Sequence, residues 1–268
     1  MNLFYKYFRF LWHQAEIERR NKILSLILPN EGSTLLDCGC DDGSFTMQIA
    51  NKLKAQRIIG IEINEIRRTK ASQNNIEVYN SDLNLNIPLE NSSVDVITAD
   101  QVIEHLIDID KFINEIKRVL KPKGYAVICT DNLASTHNIF ALLLGLQPYS
   151  GPTLSNEIQI GHHPLNPTIE EAMQQYEAVI TGHTKVMTIT SLKEIFKVKG
   201  FNVETSIGVG YLPFSPNLAK LLVRVDKRHS LFIMIKAIKL QVTFTIKKCF
   251  NYNLFIIQKI YPCVSLLL

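Results

Sequence analysis

The chain has 268 residues, 46% of them hydrophobic, with 29 Lys and Arg against 25 Asp and Glu and a formal charge of +4. That apolar content excludes a chain disordered throughout, and the length suits one large α/β domain or a domain with an appendage. The charge is uneven, because from Ala219 onward nine Lys and Arg face the single acid Asp226, a basic end suited to an anionic surface or simply to solvent.

Taken in chain order, residues 3–28 carry apolar positions at three and four spacing with Glu16, Glu18, Arg19 and Arg20 between them, which predicts one or two helices. Pro29-Asn30-Glu31-Gly32 ends them. Strands are predicted at 34–38, 57–62, 76–80, 94–99 and 125–130, alternating with helices near 44–54, 65–73 and 108–120. This alternation predicts a Rossmann-like, doubly wound α/β fold. The stretch 132–188 breaks the rhythm with Pro148, Gly151, Pro152, Pro164 and Pro167 clustered around short helical pieces such as 169–179, and reads as an insertion or substrate lid. A helix at 190–199, a strand at 201–208 and an apolar run at 230–237 follow, the last two predicted to close the sheet edge as a hairpin-like pair. The expected architecture is a mainly parallel seven-stranded sheet with an antiparallel edge strand. Residues 1–29 stand as N-terminal helices, 30–238 as the domain and 239–268 as a basic, apolar extension.

Five cysteines, Cys38, Cys40, Cys129, Cys249 and Cys263, lack zinc spacing and sit mostly in apolar runs, which suits free thiols in a reducing cytoplasm. Lys6 and Arg9 interrupt the aromatic N-terminus, so it lacks the apolar core of a secretion signal. Lys236, Lys239, Lys247, Lys248 and Lys259 keep the C-terminal part short of the roughly 18 uncharged residues a membrane span needs. The mix of Phe, Tyr and Ile with Lys in 241–268 leaves two readings, a peripheral membrane contact or a segment packed on the domain.

Chemistry concentrates where Leu35-Leu36-Asp37-Cys38-Gly39-Cys40-Asp41-Asp42-Gly43 breaks a strand into a glycine-bearing turn, exposing backbone N–H groups to a ligand. The next apolar run, Ile58-Ile59-Gly60-Ile61, ends in Glu62, where a neighbouring strand would deliver a carboxylate to a ribose diol. Together they describe an adenosine-type cofactor site.

These residues resemble the class I S-adenosylmethionine-dependent methyltransferases of the type 11, ubiquinone- and menaquinone-biosynthesis-like group. The family's Leu-Asp-x-Gly-Cys-Gly-x-Gly is matched by Leu36, Asp37, Gly39, Cys40 and Gly43, with Asp41 in place of the middle glycine. The stretch Asp82-Leu83-Asn84-Leu85-Asn86-Ile87-Pro88-Leu89 is similar to its Asp-Leu-Asn-x-x-Leu-Pro-Phe segment, and Val102-Ile103-Glu104-His105-Leu106 to its Val-Ile-Glu-His-Leu. Lys121-Pro122-Lys123-Gly124 matches its turn into strand five, and Gly182-His183-Thr184-Lys185-Val186-Met187-Thr188 a Gly-His-x-Arg-x-Phe-Thr stretch. The resemblance implies that S-adenosylmethionine is held by Asp37 at its ammonium, Gly39, Cys40 and Gly43 at its amino-acid end, and Glu62 on its ribose. Ile63 would lie beside that acid, Asp82 and Leu83 at the adenine, and Asp100 and Gln101 along the same cleft.

His105 and His183 are the candidate proton acceptors, each with a plainer alternative, His105 as a loop-orienting residue and His183 as a helix cap. Some quinone-biosynthesis relatives bind a divalent cation through Glu-x-x-Glu-His, but Gln101 replaces the first carboxylate, so no metal is expected. His162 and His163 lack further ligands at metal spacing. A nicotinamide oxidoreductase is disfavoured by the missing Gly-x-Gly-x-x-Gly. A catalytically degenerate cofactor-binding scaffold is the second alternative, motivated by Asp41. The expected activity is methyl transfer to a small-molecule, sugar or lipid-like acceptor; nucleic acid is not expected, since no basic stripe with stacking aromatics lies near the site.

Overall fold

Adjacent residues in the central strands point to opposite faces, and here both faces are buried. Leu35, Val96, Val127 and Met234 pack against one layer of helices, while their neighbours Leu36, Ile97, Ile128 and Ile235 pack against the other. The strands therefore read as continuous apolar runs. Each fully buried Leu or Ile contributes about 1.5–3 kcal/mol over its exposed state.

The computed structural model describes residues 3–154 and 182–240. In order they form α1 (Leu3–Leu26), β1 (Thr34–Cys38), α2 (Ser44–Leu53), β2 (Arg57–Ile61), α3 (Glu65–Ser72), β3 (Glu77–Tyr79), β4 (Val94–Asp100), a 3-10 turn (Ile103–His105), α4 (Ile109–Val119), β5 (Leu120–Asp131) and α5 (Thr136–Leu143). Beyond residue 181 come α6 (Ile189–Val198), β6 (Phe201–Val209), α7 (Pro216–Val225) and β7 (Phe232–Lys239). The predicted helix at 169–179, His162, His163 and the extension 241–268 lie outside the described residues.

The strand order is β3-β2-β1-β4-β5-β7-β6. Strands β1 to β5 pair in parallel, and β7 runs antiparallel to both β5 and β6. The expected mainly parallel seven-stranded sheet is present. Its antiparallel member lies one place in from the margin, which β6 occupies. The chain winds outward in one direction from β1 to β3 and in the other from β4, so a crevice opens where β1 and β4 meet at their C-terminal ends.

Helix α4 shows how pattern becomes packing. Asp108 caps it by accepting the Lys111 N–H at 2.9 Å, and Ile109, Phe112, Ile113, Ile116 and Val119 recur on its buried face. With Leu192 and Phe196 of α6 they cover one side of the sheet. Helix α1 is a single helix; its Leu11, Ala15 and Ile23 join Ile49 and Leu53 of α2 on the other side.

Two elements differ from the sequence expectation. Strand β5 begins at Leu120 rather than 125, because Val94 pairs with Leu120 and Val96 with Tyr125, so residues 121–124 bulge out with Lys123 at φ +67°. The connection between the paired strands β6 and β7 contains helix α7, whose apolar residues are largely exposed and so give no core-facing signal.

Gly60 of β2 backs the turn after β1: a Cβ there would sit 2.5 Å from Cys40 Sγ and 3.2 Å from Ile76 Cγ2. Gly60→Ala is expected to destabilise the fold by about 1–3 kcal/mol through overpacking. Urea unfolding checks this; an unchanged midpoint would show that Cys40 moves aside without cost.

Candidate active site

The turn between β1 and α2 is held from below. Gly39 and Cys40 donate their N–H groups to the Ile61 carbonyl of β2 at 2.8 and 3.1 Å, and the Gly43 N–H returns to the Cys40 carbonyl at 2.9 Å. Gly39 and Gly43 adopt φ +73° and +80°, and a Cβ at either would approach Val102 Cγ2 or Ile76 Cδ1 to 2.6 Å. Both positions thus need glycine for conformation and for space. Asp41 takes φ +50°, a conformation that aspartate tolerates better than most residues. Its carboxylate meets Arg67 at 3.2 Å, both half exposed, so the pair contributes little.

Three further acids converge on the crevice. Glu62, nearly buried beyond β2, accepts the Asp41 N–H on one oxygen at 3.1 Å and the Asn64 N–H on the other at 2.8 Å. Two backbone donors hold this carboxylate in place and leave each oxygen a free lone pair. Asp82 uses a single oxygen to accept the Asn84 backbone N–H at 2.8 Å and the Asn84 amide at 3.0 Å. Asp37 is buried at the end of β1, where Thr46 and Thr98 donate to its two oxygens at 2.5 and 2.6 Å. Burial pushes its carboxyl up to about 7, against the pull of those two hydroxyls.

These groups line one cleft of about 460 Å³. Asp37, Gly39, Cys40, Glu62, Ile63, Asp82, Leu83, Asp100 and Gln101 all border it; Gly43 does not, and instead seats the turn against Ile76. Gln101 stands at φ +59° with its N–H bound to the Cys129 carbonyl, and its buried side-chain Nε2 has no hydrogen-bond partner. Such an orphaned donor at a cleft wall is satisfied by a bound ligand. The sequence reading missed Arg19 and Arg20 of α1, which also border the cleft. Arg19 is buried, bonds Asp100 at 2.5 Å and lies 5.0 Å from the Phe232 ring centre. Burial raises the Asp100 carboxyl, while Arg19 opposes that rise.

At the other end of the cleft, His105 ends the 3-10 turn, and its ring centre lies 5.0 Å from that of His183, which stands behind it and does not itself border the cleft. The loop before α6 reaches this turn because the Glu104 carbonyl accepts the Thr184 and Lys185 N–H groups at 2.7 and 3.2 Å. His183 does not cap α6; Thr188 does, accepting the Ser191 N–H at 3.2 Å. Instead His183 Nδ1 faces the Ser150 carbonyl at 3.2 Å and Asp131 Oδ2 at 3.8 Å. Burial lowers its basicity, so the ring is neutral at neutral pH. Glu104 and Asp131 are both buried, and burial raises both carboxyls, with the charge of Asp131 adding to the rise at Glu104 and that of Asp100 to the rise at Asp131. Glu104 accepts the Thr130 hydroxyl at 2.8 Å on one oxygen, while its other oxygen has no partner.

Among the described residues, Glu104, His105 and His183 could bring donor atoms within 4.8 Å of one another, a spacing a cation could use. Only Glu104 of the three is a carboxylate, so the set carries a single acid. The residues fit an adenosine-type cofactor better, through two oriented carboxylates, an unpartnered amide and a turn that admits no Cβ at Gly39 or Gly43.

A Methyltransferase domain family model matches residues 11–206. A "Probable S-adenosylmethionine-dependent methyltransferase" of Mycolicibacterium smegmatis is 28% identical over 200 residues, which are 74% of this chain and 60% of that protein. A ubiquinone biosynthesis O-methyltransferase of Bartonella tribocorum is 28% identical over 111 residues, 40% of this chain and 44% of that enzyme. The chain thus spans less than two thirds of the length of these relatives. Among solved structures, an S-adenosylmethionine-dependent methyltransferase from Aquifex aeolicus superposes with a TM-score of 0.51 at 20% identity, covering 82% of this chain and 89% of that one. Geranyl diphosphate C-methyltransferase from Streptomyces coelicolor gives 0.55 at 13% identity, covering 85% and 80%. A strand order that reverses at a glycine turn, with paired acids across the crevice and a family match over most of the chain, settles the assignment: this chain belongs to the methyltransferase domain family.

Proposed function

We propose that this chain transfers a methyl group from S-adenosylmethionine to a hydroxyl of a small-molecule, sugar or lipid-like acceptor that reaches the cleft beside His105 and His183. The observation that carries the reading is Glu62, whose two oxygens are aimed by the Asp41 and Asn64 N–H groups at the mouth of the glycine turn. S-adenosylmethionine is the cofactor, and when bound it supplies an electrophilic methyl group on a sulfonium. Glu62 accepts the ribose hydroxyls, Asp82 the adenine amino group, and Asp37 faces the ammonium. Leu83 and Ile63 border the nucleoside, while Gly39 and Cys40 line the cleft beside the amino-acid end, their own N–H groups being donated to the Ile61 carbonyl.

His183 would take the acceptor's hydroxyl proton as the oxygen–methyl bond forms and the methyl–sulfur bond breaks, the electron pair of that bond staying on sulfur as S-adenosylhomocysteine leaves. A neutral imidazole is the form that can accept the proton. His105, stacked edge-on against it, borders the path of the acceptor. Alignment of the two reactants supplies much of the acceleration. No divalent metal takes part. A nicotinamide reading is disfavoured by the antiparallel β7 inside the sheet, which the all-parallel dinucleotide order lacks. Residues 132–188 serve as the lid over the acceptor, and no helix among the described residues is long and apolar enough to cross a membrane.

Asp82→Ala and Glu62→Ala are each expected to weaken S-adenosylmethionine binding by about 1.5–3 kcal/mol, with unfolding midpoints preserved. Calorimetric titration checks this, and unchanged affinity in both variants sinks the cofactor assignment. Asp41→Gly is expected to bind equally or more tightly, because it relieves a left-handed aspartate and loses only an exposed ion pair; a marked loss would give Asp41 a binding role of its own. With labelled S-adenosylmethionine and a panel of phenolic, sugar and lipid hydroxyls, His183→Ala should lower kcat by about 10²–10⁴-fold and leave cofactor affinity intact. The parent rate should rise with pH through a midpoint below the ordinary histidine value of about 6.5 and then level off, since burial lowers the His183 pKa. Chelator should leave the rate unchanged; activity abolished by chelator and restored by magnesium replaces the metal-free reading.

A further inference from the structure

Helix α7 is amphipathic in the wrong direction for a soluble protein. Phe214, Leu218, Leu221 and Val225 fall at spacings of four, three and four, and all are exposed, Val225 at 84%. A surface helix ordinarily turns such a stripe inward. Only Ala219 of this helix is buried. Lys220 and Arg224 are exposed on the same helix, Lys227 and Arg228 just beyond it. Of the acids nearby, Asp226 is engaged by the Arg228 N–H, the Tyr211 hydroxyl and His229, and Glu18 of α1 lies in a small pocket with Phe214, Pro216 and Ala219.

A second apolar surface adjoins it. Helix α5 and the residue after it expose Phe140, Leu142, Leu143 and Leu144, Leu143 at 75%. No Asp, Glu, Lys or Arg occurs from Asn132 to Leu154. The two helices meet at one loop: the Thr136 hydroxyl at the start of α5 donates to the Leu212 carbonyl at 2.5 Å, and Phe214 and Pro216 follow directly. The start of α1 reaches the same loop, where the Tyr7 hydroxyl donates to the Pro213 carbonyl at 3.4 Å, and it exposes Phe10 beside Lys6 and Arg9. Helices α5 and α7 and the start of α1 are therefore tied to one loop, residues 211–215, with the basic residues on α7 and α1. Contiguous exposed apolar surface of this kind marks an interaction site.

Charge selects the occupant. A second copy docked two-fold through this face would set Lys220, Arg224, Lys227 and Arg228 against their own equivalents, four bases with Glu18 as the one acid beside them that is not already engaged. A bilayer with anionic headgroups supplies both halves of the complement, an apolar phase and negative charge at its boundary. We propose that α7, α5 and the first turns of α1 form a peripheral docking face for an anionic lipid bilayer, with Leu221, Val225, Leu143 and Leu144 entering the interface and the four basic residues of 220–228 meeting lipid phosphates. This goes beyond methyl transfer and does not depend on it. It also differs from a contact made by 241–268. Because α5 starts five residues after Asp131, which faces His183, docking through α5 brings the bilayer to the acceptor side of the cleft.

The test is co-sedimentation of the full chain with vesicles of equal parts phosphatidylglycerol and phosphatidylcholine, and with vesicles of phosphatidylcholine alone. The chain should pellet with the anionic vesicles, far less with the neutral ones, and progressively less as salt rises. Leu218→Gln with Leu221→Gln, Leu143→Gln with Leu144→Gln, and Lys220→Glu with Arg224→Glu should each lower partitioning by about tenfold. All six side chains are exposed, so circular dichroism and S-adenosylmethionine affinity should match the parent and separate lost docking from lost folding. Lys247→Glu with Lys248→Glu should bind as the parent does. The proposal is overturned if the α5 and α7 variants pellet like the parent while the Lys247/Lys248 variant does not. A parent that ignores both vesicle types and sediments as a dimer, made monomeric by the α7 variants, overturns it in favour of self-association.

Discussion

The carboxyl of Asp37 is the point on which the crevice is assembled. It lies at the end of β1 with one oxygen bonded to Thr46 of α2 and the other to Thr98 of β4, so one side chain joins the two strands that part at the crevice and the helix that opens from the glycine turn. The arrangement has a cost. Removing a carboxylate from water raises its pKa to about 7, so the folded chain binds a proton there that the unfolded chain releases near 3.8. The folded state is thus favoured at low pH, and this contribution is lost as pH rises from the unfolded value through the folded one. A cation held at the mouth of the cleft would reverse the balance by stabilising the ionised form. A buried acid that is costly when empty and relieved by a cationic ligand belongs to a binding site rather than to a scaffold.

The two ends of the cleft are built differently. At the end proposed for the nucleoside, Glu62 and Asp82 are fixed by backbone N–H groups, which come with the strand ends and cannot rotate away. At the other end, His105 and His183 come from segments almost eighty residues apart and are joined by the Thr184 and Lys185 N–H bonds to the Glu104 carbonyl. Below them two buried carboxyls compete for protons, and atoms of both lack hydrogen-bond partners. Such a group is stabilised only when a further partner arrives, so this end is tuned by what enters it.

That difference explains what could be read from the sequence. The nucleoside end was legible because each of its parts is local: a strand, a turn and an acid one or two residues beyond the strand, as at Asp37, Glu62 and Asp82. The alternation of apolar runs with helical spacing gave the sheet for the same reason. Arg19 was not legible, since its burial depends on Asp100, 81 residues away, and on Phe232 beneath it. Nor was α7, because a helix that shows its apolar stripe to solvent lacks the pattern by which packed helices are recognised. The place of β7 between β5 and β6 depends on pairing across 100 residues, which no local spacing encodes.

The acceptor resists identification on the same physical grounds. A nucleoside presents a fixed diol and a fixed amino group, so the residues that meet it must be of one chemical type at one place on the fold. An acceptor hydroxyl asks only for a proton acceptor and a wall of suitable polarity, and both can be supplied by side chains from any segment that reaches the rim. In the proposed reading they come from the turn after β4, the end of β5 and the loop before α6. The uncharged stretch from Asn132 to Leu154 begins just after Asp131 and carries the exposed leucines of α5, so it brings no fixed charge to that end.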